Sequence, residues 1–288
     1  MFLKTAERKQ AFMKMALQGS AGSGKTYSAL LLAKGLVSDW SKIAVIDTEM
    51  GSSNLYAHLG PFQVLTLEPP HTPERYIEAI QLCLNGGMEA VVIDSISHCW
   101  ENLLDYHGSL QGNSFANWNK VTPRHRAFVD TILQAKAHIV ATMRSKTEYA
   151  LSDKNGKQVP EKMGLKAIQR DGVDYEFTLV FDLDNHHQAK ASKDRTSLFV
   201  QKPEFVIDES TGEQILQWCK QGTSEDEVRS AVYNAGSVDE LNALYRQYPT
   251  HATRLINDFK ERKVQLLNTT PSVNHQKPST HGFIASNQ

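Results

Sequence analysis

Four short runs of apolar residues punctuate the first half of the chain, at 12–17, 43–46, 90–93 and 137–142. Each is near-continuously apolar instead of alternating, the pattern of strands covered on both faces of a parallel sheet. Between them, 27–37, 73–84 and 123–136 carry apolar residues at helical spacing, so strand and helix alternate. That order predicts an α/β fold with a mainly parallel sheet flanked by helices. Past residue 145 the pattern changes. Residues 145–172 are polar, rich in Lys and Gly and without clear periodicity, so a loop is expected there. The stretches 175–183 and 188–199 read as antiparallel strands, a hairpin extension joined by a turn at Asp184-Asn185-His186-His187. The paired histidines are read as part of that turn, because no further ligand stands at metal-binding spacing. One or two short strands are expected within 205–218, with Glu209-Ser210-Thr211-Gly212 as a turn. Helical periodicity returns over 224–267, with Ser224 and Ser237 as N-caps and acids in the first turns. The polar stretch 268–288 is expected to be disordered. The chain thus reads as a core at 1–221, a small helical appendage at 222–267 and a tail.

Composition narrows this only slightly. With 40% hydrophobic and 22% charged residues the chain is ordinary for a globular protein. Its net charge of -1 means that any surface for nucleic acid must be local. Cys83, Cys99 and Cys219 form no C-x-x-C pair, which argues against a zinc ribbon or disulfide framework and suits a reducing cytoplasm. The first residues are charged where a signal peptide needs an apolar core, and no apolar run approaches the ~18 residues that span a bilayer. A cytoplasmic protein without membrane attachment is expected.

The most specific feature is Gly19-Ser20-Ala21-Gly22-Ser23-Gly24-Lys25-Thr26, which follows a predicted strand and opens a predicted helix. This is the G-x-x-x-x-G-K-[ST] phosphate loop in the context it requires. Its glycines let backbone N–H groups converge on phosphate oxygens at a helix N-terminus. Lys25 is expected to bridge the β- and γ-phosphates of ATP, and the Thr26 hydroxyl to ligate Mg²⁺. Asp94 closes the run Ala90-Val91-Val92-Ile93 and has the position of a second carboxylate in the Mg²⁺ shell. Asp47-Thr48-Glu49 closes another strand. By spacing alone, Glu49 is either the carboxylate that activates water or a solvated strand-end acid.

These segments together resemble the ATPase core of the RecA/KaiC superfamily: the phosphate loop, Val45-Ile46-Asp47-Thr48-Glu49, and Val92-Ile93-Asp94-Ser95. The resemblance implies a RecA-like P-loop NTPase fold in which Glu49 is the catalytic glutamate. Ala141-Thr142-Met143-Arg144-Ser145-Lys146 is similar to the family segment that senses the γ-phosphate and leads into a DNA-binding loop. It departs from the recombinases at Thr142, where they usually carry an amide. Ala191-Ser192-Lys193-Asp194-Arg195-Thr196 resembles the K-x-R segment whose cations reach the neighbouring subunit's γ-phosphate. Lys193 and Arg195 are accordingly implied to act in trans, which requires self-association into a ring or filament. The residues alone also fit an exposed basic hairpin. Over about residues 11–205 the chain looks most like the phage-type RecA-like single-strand annealing proteins, labelled AAA family ATPases.

In that plan, two segments carry single-stranded DNA. One is about 107–118, with Phe115 and Trp118. The other is about 145–172, within a stretch where seven cations face four acids between Arg144 and Asp171. Arg144, Lys146, Lys154, Lys157, Lys162, Lys166 and Trp118 are the candidate contacts, through phosphate pairing and base stacking. Trp118 fits a helix anchor as well. The resemblance therefore implies an ATPase that oligomerises on single-stranded DNA and promotes annealing or recombination, with a single-strand-binding protein as a possible partner. If phage-encoded, it would work in the bacterial host cytoplasm. The alternative is a KaiC-like regulatory or partner-remodelling ATPase that binds no DNA. A P-loop kinase is disfavoured, because no Arg-rich lid is found.

Overall fold

The structure is a computed structural model that describes residues 8–154 and 157–269, with the side chains of 147–165 and 269 outside the description. Strands β1 (Lys14–Gly19), β2 (Ile43–Asp47), β3 (Gln63–Thr66), β4 (Ala90–Asp94), β5 (His138–Lys154), β7 (Leu179–Leu183), β8 (Gln188–Asp194) and β9 (Phe205–Val206) lie in the order β3-β2-β4-β5-β1-β7-β8-β9. From β3 to β7 the neighbours are parallel; β8 and β9 add antiparallel pairs. Strand β6 (Lys157–Ala167) lies off this order and pairs with β5. Helices α1 (Lys25–Val37) and α5 (Glu209–Cys219) help build the core on one face of the sheet, and α2 (Pro73–Asn85) and α4 (Ser114–Gln134) help build that on the other. α3 (Ser97–Ser109) follows β4.

The continuous apolar runs follow from this layering. In β2, Ala44 and Ile46 enter the cluster with Ile80 and Phe128, while Ile43 and Val45 enter the cluster with Leu30 and Leu36. Each face of the strand is dry, so neither set of alternate positions can be polar. At about 25 cal/mol per Å² of apolar surface removed from water, these two cores dominate the stability of the domain.

Several sequence expectations are corrected. Residues 145–167 form no open loop: β5 runs on past the sheet to Lys154 and pairs with β6 from Ser145↔Ala167 to Lys154↔Lys157. A two-stranded ribbon satisfies its backbone across the pair and does not require the apolar alternation of a sheet face, so periodicity did not announce it. The Asn155-Gly156 dipeptide between the strands was the available hairpin signal. Residues 209–212 are the first turn of α5, where Asp208 and Thr211 form a capping box. Gly212 serves close helix packing, since a Cβ there would meet Leu32 O of α1 at 2.4 Å. Helix α4 begins at Ser114, capped by Asn113, and carries Pro123 in its interior; residues 107–118 are therefore mostly helix. β8 stops at Asp194 because its carboxylate accepts from the backbone N–H of Thr196 and Phe199. The edge strand β3 gave no sequence signal.

Residues 8–10 and 222–269 form a second compact unit. Its helices are α6 (Glu225–Asn234), α7 (Val238–Gln247), α8 (Pro249–Arg254) and α9 (Ile256–Thr269), closed on Val228, Val232, Leu241, Leu255 and Phe259. Ser224 and Ser237 cap α6 and α7 by accepting from Glu227 and Glu240 N–H. Of the tail expected to be disordered at 268–288, residues 268 and 269 end α9, and 270–288 lie outside the described residues.

The pole of the sheet away from the strand C-termini sets a pH limit. His138 is buried and its Nδ1 accepts from Met13 N–H at 3.0 Å. Burial, with Lys14 and Lys220 nearby, lowers the imidazole to about 4. Between pH ~6.5 and that value the unfolded chain binds a proton that the folded chain refuses. Stability is therefore complete above ~6.5 and falls as pH drops, by on the order of 3 kcal/mol across the window. Thermal unfolding at several pH values should show this slope, and His138→Gln, which keeps an acceptor without titrating, should flatten it.

Candidate functional site

The site lies at the carboxyl ends of β1, β2 and β4, where open parallel sheets place ligands, beside the point at which β5 leaves the sheet. β1 delivers the phosphate loop and α1 starts at Lys25. Gly22 and Gly24 have φ of 78° and 84°, a conformation that side chains with a Cβ resist. Lys25 Nζ donates to Gly19 O at 3.0 Å and Ser20 O at 2.8 Å, folded back across the mouth of the loop. Burial lowers the Lys25 pKa, while Asp94 and Glu49 counteract that. The Ser23 hydroxyl is buried without a partner inside the loop. Such an orphaned group is expensive unless a ligand satisfies it.

Asp94 holds the centre. Its Oδ2 accepts from Thr26 Oγ1 at 2.6 Å and its Oδ1 accepts from Thr142 Oγ1. Burial pushes the Asp94 carboxyl upward, with these two hydroxyls opposing. A hydroxyl and a carboxylate in contact are the hard oxygen donors that suit Mg²⁺. With the orphaned Ser23 hydroxyl and the glycine-shaped loop, the residues present fit a magnesium nucleotide. Thr142 is thus placed against Asp94, where the sequence showed only a departure from the recombinase pattern.

Glu49 stands at the end of β2 on a loop that Asp47 builds. The buried Asp47 carboxylate accepts from Glu49, Gly51 and Ser53 N–H and from Ser53 Oγ. Arg144 Nε and Nη2 grip both Glu49 oxygens, at 2.9 and 2.5 Å. Burial works to raise the Glu49 pKa, but the bonds and charge of Arg144, with His98 and Lys25, outweigh it and leave the pKa low. His98 Nε2 lies 4.0 Å from Glu49, and its Nδ1 is 2.7 Å from Thr48 Oγ1. Burial and Arg144 lower the His98 pKa. The sequence assigned Arg144 to DNA and gave His98 no role at this site. Ninety-odd residues separate Glu49 from Arg144, so no local pattern could have joined them.

Other candidates fall elsewhere. Lys193 Nζ donates to the carbonyls of Asp174 and Tyr175, and Arg195 Nη2 to Tyr175 O at 3.1 Å, with no bond to the phosphate loop of their own chain. Trp118 stacks with His107 at 4.2 Å and Trp100 at 6.0 Å, packed with Leu103 and Val121, so it anchors its helix. Lys146 and Lys166 line a surface cavity of about 850 Å³ with Trp100, Trp118 and Arg170. Lys166 also pairs with Asp171 at 3.0 Å. The side chains of Lys154, Lys157 and Lys162 lie outside the described residues. Among the described residues no helix is long and apolar enough to cross a membrane.

A parallel sheet whose first strand ends in this loop, with Thr26 against a strand-end aspartate, defines a P-loop nucleoside triphosphatase. Compared with family models, residues 11–207 match the AAA domain; the chain belongs to this family of P-loop AAA-type ATPases. No curated protein matches the chain.

Proposed function

We propose that this ATPase is RecA-like, assembles into rings or filaments on single-stranded DNA, and promotes annealing or homologous recombination of the phage or mobile-element type in the host cytoplasm. The observation that carries the proposal is the Glu49–Arg144 pair, because Arg144 is also the residue from which the β5–β6 hairpin departs. At the hairpin base, Ile168 N–H donates to Arg144 O at 2.7 Å, and Gln169 Nε2 donates to Ile96 O at 3.1 Å beside the Asp94 strand end. A strand of DNA gripped by the hairpin cations would pull on the residue that restrains Glu49.

In this mechanism Thr26 and Asp94 would hold Mg²⁺, which when bound would neutralise charge on the phosphates. The N–H groups of residues 22–26 and Lys25 orient the triphosphate. Glu49, released from Arg144, accepts a proton from the attacking water at a carboxylate oxygen. Lys193 and Arg195 would complete the site of a neighbouring subunit, as transition-state cations supplied in trans. A single-strand-binding protein is the further partner this role would call for.

The test is ATP turnover with and without single-stranded DNA, alongside sizing in ATP. Stimulation together with assembly is expected. Arg144→Ala should raise DNA-independent turnover by about five- to tenfold, the factor that roughly 1–1.4 kcal/mol of lost restraint yields, and abolish further stimulation. A protein that stays monomeric and indifferent to DNA would refute the proposal and favour a KaiC-like regulatory ATPase.

A further inference from the structure

The β7–β8 turn, at 184–187, lies against the phosphate loop. β1 and β7 are parallel neighbours with Gly19 opposite Leu183, so the chain leaves both strands at the same edge of the sheet. Ser20 Oγ donates to Asn185 Oδ1 at 2.5 Å. The His187 ring covers Gly24: a Cβ built on that glycine would stand 2.8 Å from His187 Nδ1. Asp184 shapes the turn, its Oδ1 accepting from His186 and Gln188 N–H at 2.8 Å each. His187 is exposed and has a φ of 62°, a conformation few residues with a Cβ adopt. These contacts change the meaning of a segment that looks in sequence like an ordinary turn.

The flank on which the turn lies says which part of the nucleotide it meets. Across the sheet the order is β2, β4, β5, β1, β7. Asp94 ends β4 and Glu49 follows β2, so the carboxylates that mark the terminal-phosphate end lie on one side of the phosphate loop. The turn lies on the other side. A triphosphate laid over the loop from Glu49 and Asp94 therefore carries its ribose and base toward β7. We propose that Asn185 and His187 form the nucleoside-side wall of the ATP site and determine its choice among nucleotides. The His187 imidazole offers a flat face for the ribose or base. The Asn185 amide, with its oxygen engaged by Ser20, keeps N–H groups to donate. The proposal rests on the ATPase reading of residues 19–26 and adds to it the residues that read the nucleoside.

Calorimetric titration with ATP, GTP and inorganic tripolyphosphate, each in Mg²⁺ buffer, tests it on the full chain and on two variants. His187→Asn removes the ring but keeps a residue that tolerates positive φ, so the turn is preserved. Asn185→Ala removes the amide. Wild type should separate ATP from GTP. Each variant should bind ATP about fivefold more weakly, as for one lost neutral contact, and narrow the ATP/GTP ratio, with tripolyphosphate affinity unchanged. An unchanged ATP affinity overturns the proposal. So does a parallel loss for ATP and tripolyphosphate, which would mean that the turn merely braces the loop. If Asn185→Ala does not fold, His187→Asn decides alone. Wild type that binds no ATP or tripolyphosphate refutes the ATPase reading itself, an outcome distinct from both.

Discussion

Glu49→Gln should lower the maximal rate of ATP hydrolysis by about two to four orders of magnitude, the range that a positioned general base contributes. ATP binding should stay within a few-fold of wild type. The substitution preserves size and hydrogen-bonding shape, so the Asp47-built loop that carries residue 49 should remain intact. What is lost is the charge that can take a proton from water. The structure adds a condition to this prediction. Glu49 is held by Arg144 at both oxygens and has a depressed pKa, so in this state it is a weak base. Turnover without a partner should therefore already be slow, and the full effect should be measured under conditions that stimulate wild type. Single-turnover hydrolysis beside equilibrium binding separates the two parameters. A variant that retained most of the wild-type rate would remove Glu49 from the chemistry and leave it as a counter-ion for Arg144.

Lys25→Ala should abolish detectable turnover and also weaken ATP binding, which distinguishes it from the Glu49 variant. The ammonium now bonds the carbonyls of Gly19 and Ser20, the rim of the loop that the phosphates would enter. Nucleotide entry would exchange those two neutral acceptors for charged phosphate oxygens. Hydrogen bonds to ionised groups are roughly twice as strong as neutral ones, so the exchange favours binding. Burial together with the pull of Asp94 and Glu49 keeps this lysine in a polar, partly enclosed setting. Binding and turnover measured together test this; near-normal affinity in the alanine variant would contradict it.

The sequence exposed features that are local. The phosphate loop is one contiguous octapeptide. Asp94 closes a short apolar run and Glu49 follows another, two residues after Asp47, so their places at strand ends could be read from β4 and β2 alone. The helical unit was legible because Ser224 and Ser237 precede acidic first turns. Where pattern failed, a tertiary partner had replaced it. The hairpin of β5 and β6 satisfies its backbone across the ribbon and needs no apolar stripe. Gly212 looked like a turn residue but is the small residue at a close helix crossing. Trp118 fitted a stacking contact or a helix anchor equally in sequence, and only the fold shows its ring against His107 and Trp100.

By itself, then, the sequence determined that this chain has an ATPase site built on a parallel sheet. Those properties reside in short segments whose chemistry and periodicity are complete without a fold. Only the tertiary structure decided what restrains that site. Arg144 meets Glu49, Thr142 meets Asp94, and Asn185 and His187 meet the phosphate loop because β2, β4, β1 and β7 end, and β5 leaves the sheet, at the same edge. Hydrogen bonds and charge pairs act over a few ångströms, whatever the separation along the chain, and the sheet order brings those distant residues within that range.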